Sequence, residues 1–128
     1  MNLWTGTLTR RAGQTFFHSD ALELLLPASW QPITVDTSSI ITLGIRPEDI
    51  QLQEQAKAIP IQATVELVED LGAELLIHGC IGRLPLVVRT GRGLPWQTRT
   101  DLSVFLPVDK LHFFIDNHRV DPRSAHPS

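Results

Sequence analysis

The sequence predicts an all-β domain: a small closed barrel or sandwich of short antiparallel strands, with one or two short helical turns. Three observations predict it. Apolar residues recur at every second position in segment after segment, the spacing that turns one face of a strand inward. Among nine prolines and eight glycines, Pro27, Pro32, Pro47, Pro60, Gly91, Gly93 and Pro95 fall between those segments, where they make tight corners. The intervals they leave give long amphipathic helices no room.

The elements follow in order. Leu3–Thr9, Gln14–His18, Leu22–Leu26 and Ile40–Arg46 read as the first four strands. Pro47–Ile50 reads as a helical turn with Pro47 at its first position, where a missing N–H costs nothing. Ile61, Ala63, Val65 and Leu67 then alternate with Gln62, Thr64 and Glu66. The alternation resumes with Leu75, Ile77 and Ile81 against Glu74, His78 and Cys80, so Glu69–Gly72 is the turn of a hairpin. Gly72 is free to take positive φ there. Leu84–Arg89, Leu102–Leu106 and Leu111–Ile115 complete the strands, with a second helical turn at Pro107–Lys110. Residues 1–115 make one domain, with room for two interleaved lobes around a shared core. Residues 116–128, "DNHRVDPRSAHPS", are polar and proline-punctuated and read as a flexible tail.

Composition narrows the function. A formal net charge of −3 and a pI of about 5.9 disfavour nucleic acid, which asks for a basic surface. Trp4, Trp30 and Trp96 are accordingly core or interface residues rather than base-stacking platforms. Cys80 is the only cysteine and cannot form an internal disulfide. The N-terminus, MNLWTGTLTRRAG, lacks the pattern of a signal peptide. No apolar run approaches the roughly 18 residues of a membrane span. The glycine cluster "TGRGLP" has no Lys-Ser behind it, so no phosphate-cradling P-loop is present. The five histidines show no metal-ligand spacing. The acid pairs Glu48-Asp49 and Glu69-Asp70 are sequence neighbours, not carboxylates facing each other across a gap. The chain reads as no enzyme, with no cofactor and no metal of its own.

Two motifs carry a family signal. "LGIRPEDI", residues 43–50, ends a strand in Gly-Ile-Arg-Pro-Glu. Val68-Glu69-x-Leu71-Gly72-x-Glu74 follows within "ATVELVEDLGAELLIH", residues 63–78. With "LVVRTGRGL" (86–94), "LSVFLPVDKLHFF" (102–114) and the opening "MNLWTGTL", they resemble the C-terminal regulatory domain of ATP-binding subunits of ABC importers. The likeness is to the maltose and glycerol-phosphate type of sugar importer, whose domain has a transport-associated, oligonucleotide-binding-like (TOBE, OB-like) fold. The end departs from the family: "FFIDNHRVD" stands where Phe-Asp-x-x-(Ser/Thr)-Gly is common.

The resemblance implies a non-catalytic regulatory and dimerisation domain. ATP and Mg would be bound by a nucleotide-binding domain that precedes it in the family. The implied partners are a second copy, that nucleotide-binding domain, the membrane subunits indirectly, and a regulatory protein; nucleic acid is not among them. The implied location is the cytoplasmic face of the plasma membrane, through the transporter. Two other readings stand beside it: an OB-like module binding small oxyanions with donors from Arg83, Arg89, Arg92 and Arg99, and, less favoured by charge, a nucleic-acid-binding barrel.

The candidate contact residues are Trp4, Arg46, Glu48, Glu69, Leu71, Gly72 and Glu74. Arg46 precedes a proline and so stays extended. Its guanidinium either locks the corner through an ion pair or meets the twin domain or the ATPase body. Leu71 falls at the hairpin tip between acids. A two-fold pairing would set that tip against the arginines of the other copy.

Overall fold

The computed structural model describes residues 1–27, 40–92, 101–115 and 118–120. These hold ten strands: β1 Asn2–Arg11, β2 Gln14–Ser19, β3 Leu22–Leu25, β4 Ile41–Ile45, β5 Ala58–Asp70, β6 Glu74–Ile81, β7 Leu84–Gly91, β8 Asp101–Pro107, β9 His112–Ile115 and β10 His118–Val120. Two 3₁₀ turns, Pro47–Asp49 and Val108–Lys110, stand where the sequence expects helical turns. The strands form a six-stranded sheet in the order β10-β9-β4-β1-β2-β3 and a four-stranded sheet in the order β7-β6-β5-β8. Every pairing is antiparallel. The all-β, OB-like expectation holds. No helix among the described residues is long and apolar enough to cross a membrane.

Two long strands shape the fold by changing partners midway. In β1, residues 2–6 pair with β4 and residues 7–11 pair with β2. The change falls at Gly6, where an added Cβ would lie 1.8 Å from the His18 carbonyl oxygen. Only a residue without a side chain lets the backbones approach so closely. In β5, residues 58–64 pair with β8 and residues 64–70 with β6. That division explains Pro60, a breaker that sits inside the strand. Phe105, opposite Pro60, turns its N–H and C=O away from β5 to Gln51. The nitrogen of Pro60 therefore points to the other side, where β6 begins pairing only at Thr64. No ladder bond is lost.

The alternation read from sequence becomes the core. Trp4, Phe17, Ile41, Leu43, Ile45, Val65, Ile77, Leu86, Val88, Val104, Leu106 and Phe113 are all buried, in one cluster drawn from both sheets. The sheets are also joined by hydrogen bonds. The Asn2 side chain donates from Nδ2 to the Val87 carbonyl and accepts the Val87 N–H, both at 2.8 Å. The Trp4 indole donates to the Pro85 carbonyl at 2.9 Å. Pro85 and Val87 lie on the outer edge of β7, whose strand-facing groups alternate. Asn2 thus stands in for a neighbouring strand, and proline occupies a position with no N–H to satisfy. A second joint forms between turns: the Asp20 carboxylate of the β2–β3 turn accepts the Arg83 N–H of the β6–β7 turn at 2.9 Å.

The expected tail is corrected in part. His118–Val120 form β10, paired with β9 through His118↔Ile115 and Val120↔Phe113. A three-residue strand in a polar segment has too little apolar alternation to be seen in advance. The rest of that segment lies outside the described residues, as do Trp30, Trp96 and Arg99.

Candidate functional site

The first candidate region is the corner that "LGIRPEDI" builds. Ile45 ends β4 fully buried, and Ile50 is buried again five residues later. Between them Arg46 is extended, with φ −73° and ψ 145°, as a residue before proline must be. Its carbonyl accepts the Asp49 N–H at 3.0 Å, and Gln51 then bridges to Phe105 through bonds of 2.9 and 2.8 Å. The corner packs against β7. It is therefore fixed by buried isoleucines and by backbone bonds. The Arg46 side chain is exposed and makes no ion pair among the described residues. The reading of Arg46 as a corner-locking ion pair is thereby corrected: nothing at this corner needs its charge. Glu48, beside it, is exposed.

The second region is the hairpin of β5 and β6. The strands close at Leu71, whose N–H donates to the Glu74 carbonyl at 2.8 Å. Gly72 takes φ +90°, and its N–H donates to Asp70 at 2.8 Å. Glycine with positive φ at the first central position suits a tight hairpin turn. Leu71 is 47% exposed at the tip, and Leu67 is 54% exposed. A bulge between Val65 and Leu67 puts Glu66 out of register. Beyond it the inward position shifts from odd to even residues, so Val68 packs on the core and Leu67 faces out.

The three acids at the hairpin tip are already partnered within the chain. Asp70 pairs with Arg92, Glu74 with Arg89 at 3.0 Å, and Glu69 with His78. The Arg92 guanidinium, helped by the Gly72 N–H, holds the Asp70 carboxyl below its ordinary range. Asp20 is lowered too, chiefly by the Arg83 N–H. The registers Glu74↔Gly91 and Leu76↔Arg89 bring these charges together. Arg89 and Arg92, treated from sequence as spare donors, are thus engaged in cis. A contact at the tip does not depend on arginines from a second copy.

Of the seven sequence candidates, Glu69, Leu71, Gly72 and Glu74 come together at the tip, while Arg46 and Glu48 share the corner. Trp4 belongs to neither. At 1% exposure, with its indole bonded to Pro85, it is a joint between sheets and is removed from the surface set. Its neighbour Asn2 was missed. A polar residue at an inward position of β1 was the signal that could have found it, since a buried amide needs partners. Among the described residues, no three His, Cys, Asp or Glu side chains come together to hold a metal ion.

Comparison with known proteins bears on both regions. The TOBE domain family matches residues 43–114, which span the corner, the hairpin and the strands that follow. The sn-glycerol-3-phosphate import ATP-binding protein UgpC of Yersinia pestis bv. Antiqua (strain Antiqua) is 37% identical over 115 residues, covering 89% of this chain and 30% of the relative. The ABC transporter ATP-binding protein YcjV of Escherichia coli O157:H7 is 30% identical over 117 residues, covering 89% of this chain and 31% of the relative. The chain thus spans about a third of the length of these curated relatives. Among solved structures, the cytoplasmic molybdate-binding protein ModG with molybdate bound superposes with a TM-score of 0.62 at 10% identity, covering 88% of this chain and 94% of that one. At that identity the likeness is one of fold.

Proposed function

The chain belongs to the TOBE domain family, and from that premise we propose that it is the non-catalytic regulatory and pairing domain of the ATP-binding subunit of an ABC importer of the sugar or glycerol-phosphate type. The observation that carries the reading is the joint match of corner and hairpin, residues 43–114, to that family, supported by relatives that are import ATP-binding proteins. The chemistry agrees. The side chains of both regions are arranged for contact, the corner exposing Arg46 and Glu48, unpaired among the described residues, and the tip exposing leucines beside charges paired in cis, and none is arranged for attack on a bond. Nucleotide and Mg would be held by the part of such a subunit that this chain does not span. Its partners would be that part, a second copy, a regulatory protein, and the membrane subunits indirectly, at the cytoplasmic face of the membrane. Pairing would couple two ATPase subunits, and a partner favouring one paired state would shift the cycle.

The ModG likeness keeps oxyanion binding as a second reading. Arg89 and Arg92 are already bonded to carboxylates, which leaves that reading fewer donors. One experiment addresses both. The chain replaces the corresponding third of a glycerol-phosphate import ATP-binding protein, and ATPase activity and transport are measured in the assembled importer. The expected result is retained ATPase activity and transport in the chimera. Separately, the chain alone should show no shift in melting temperature with millimolar Mg-ATP or molybdate. A folded but inactive chimera, or a shift of several degrees with molybdate, would favour the second reading.

A further inference from the structure

Beyond the bulge, β5, β6 and β7 present an outward sheet face whose residues follow from the registers. Leu67, His78 and Val87 lie in one row across the three strands, and Glu69, Leu76 and Arg89 lie in the next. Leu71 and Glu74 close it at the turn. Apolar and polar side chains alternate in both directions, as squares do on a board. Leu67, Leu71, Glu69 and Arg89 are exposed; Leu76, Val87, His78 and Glu74 are half-buried. The polar squares are bonded to one another, Glu69 to His78 and Glu74 to Arg89.

The charge pattern selects among occupants. Nucleic acid or an anionic lipid surface needs a surplus of positive charge, and this face has none. A strongly charged protein gains little from charges already paired in cis. A second copy imposes a different demand. A two-fold contact lays a surface on itself, so any net charge it carries meets its own sign. With two acids, one arginine and a histidine counted neutral, this face carries a formal net charge of −1. That leaves little charge to repel its own copy, and the face exposes two leucines that have no place in the core.

We propose that this face, centred on Leu67, Leu71 and Leu76, is the surface through which two copies of the chain pair, sheet against sheet. The proposal rests on the pairing reading above and names its surface, which neither the family match nor the relatives supply. Sheets that stack face to face pack about 10 Å apart through such interdigitated side chains. Leu67 and Leu71 would then fill the gaps over the partner's ion pairs, removing water from both.

Sedimentation equilibrium at about 100 µM, a concentration that should populate a micromolar dimer, tests it with four chains. The wild type is expected at twice its 14.3 kDa monomer mass. Leu67→Glu and Leu71→Asp are expected at the monomer mass with unchanged circular dichroism, since both side chains are exposed. Leu3→Asp, which alters the exposed apolar side chain at position 3 on the other sheet, is expected to stay dimeric. A dimer that survives both hairpin substitutions, or one abolished by Leu3→Asp alone, overturns the surface and leaves pairing intact. A monomeric wild type overturns the pairing reading itself.

Discussion

The corner at residues 43–50 and the hairpin tip at residues 67–76 are the two motifs by which the sequence declares its family, and they are built on opposite principles. At the corner, isoleucines on either side are buried and the backbone closes on itself, so Arg46 and Glu48 carry no structural duty. At the tip the backbone turn is exposed, and two ion pairs and the Glu69–His78 hydrogen bond hold its polar side chains in place. A motif rich in charge is thus no guide to where charge does structural work. The corner keeps its charges free over a rigid support; the tip spends its charges on itself and leaves its leucines free. The second arrangement is the one suited to pairing with an identical surface.

The largest expected effect breaks the support beneath the corner. Trp4→Ala removes a fully buried indole together with its bond to Pro85, and should destabilise the fold by about 3–5 kcal/mol in chemical denaturation. A loss under about 1 kcal/mol would show that the joint between β1 and β7 contributes little, and the rigid-corner account would go with it.

A smaller effect separates the two regions by their charges. Arg46→Ala should change stability by no more than about 0.5 kcal/mol, in place of the larger loss a locking ion pair would bring. Asp70→Asn should act through pH. Asp70 is held below its ordinary value of 3.8, first by Arg92 and then by the Gly72 N–H. A carboxylate lowered on folding adds stability above its unfolded pKa, and that contribution is lost as pH falls through the folded one. Melting temperature measured downward from about pH 4 should therefore fall along the same limb in wild type and Arg46→Ala. The limb should be shallower in Asp70→Asn, where only Asp20 and unrelated groups remain. Identical limbs in all three chains would erase the distinction between free and engaged charge.

Much of the fold was legible because its cause is local. Nine of the ten strands follow from alternation, and both 3₁₀ turns follow from proline placement. Pro60 misled because a single sequence does not say that β6 starts pairing four residues later. β10 carried too weak a pattern. At the contact regions, local signals served for Leu71 and Gly72, whose exposure and positive φ are properties of a short turn. They failed for Arg46, Arg89 and Arg92. Whether an arginine is spare depends on which residue the next strand sets beside it, and Glu74–Arg89 and Asp70–Arg92 are decided by register. Trp4 and Asn2 depend on contacts 81 and 85 residues away, beyond any reading of neighbours.

The most direct test of the central claim needs no substitution. Methyl resonances of the wild-type chain, followed by NMR through a dilution series, locate whichever surface is covered when copies meet. The account predicts concentration-dependent shifts at Leu67, Leu71, Leu76 and Val87, with Met1, Leu3 and Ile40 constant. Shifts confined to Met1, Leu3 and Ile40, or none in any of these methyls while the mass doubles, would contradict it.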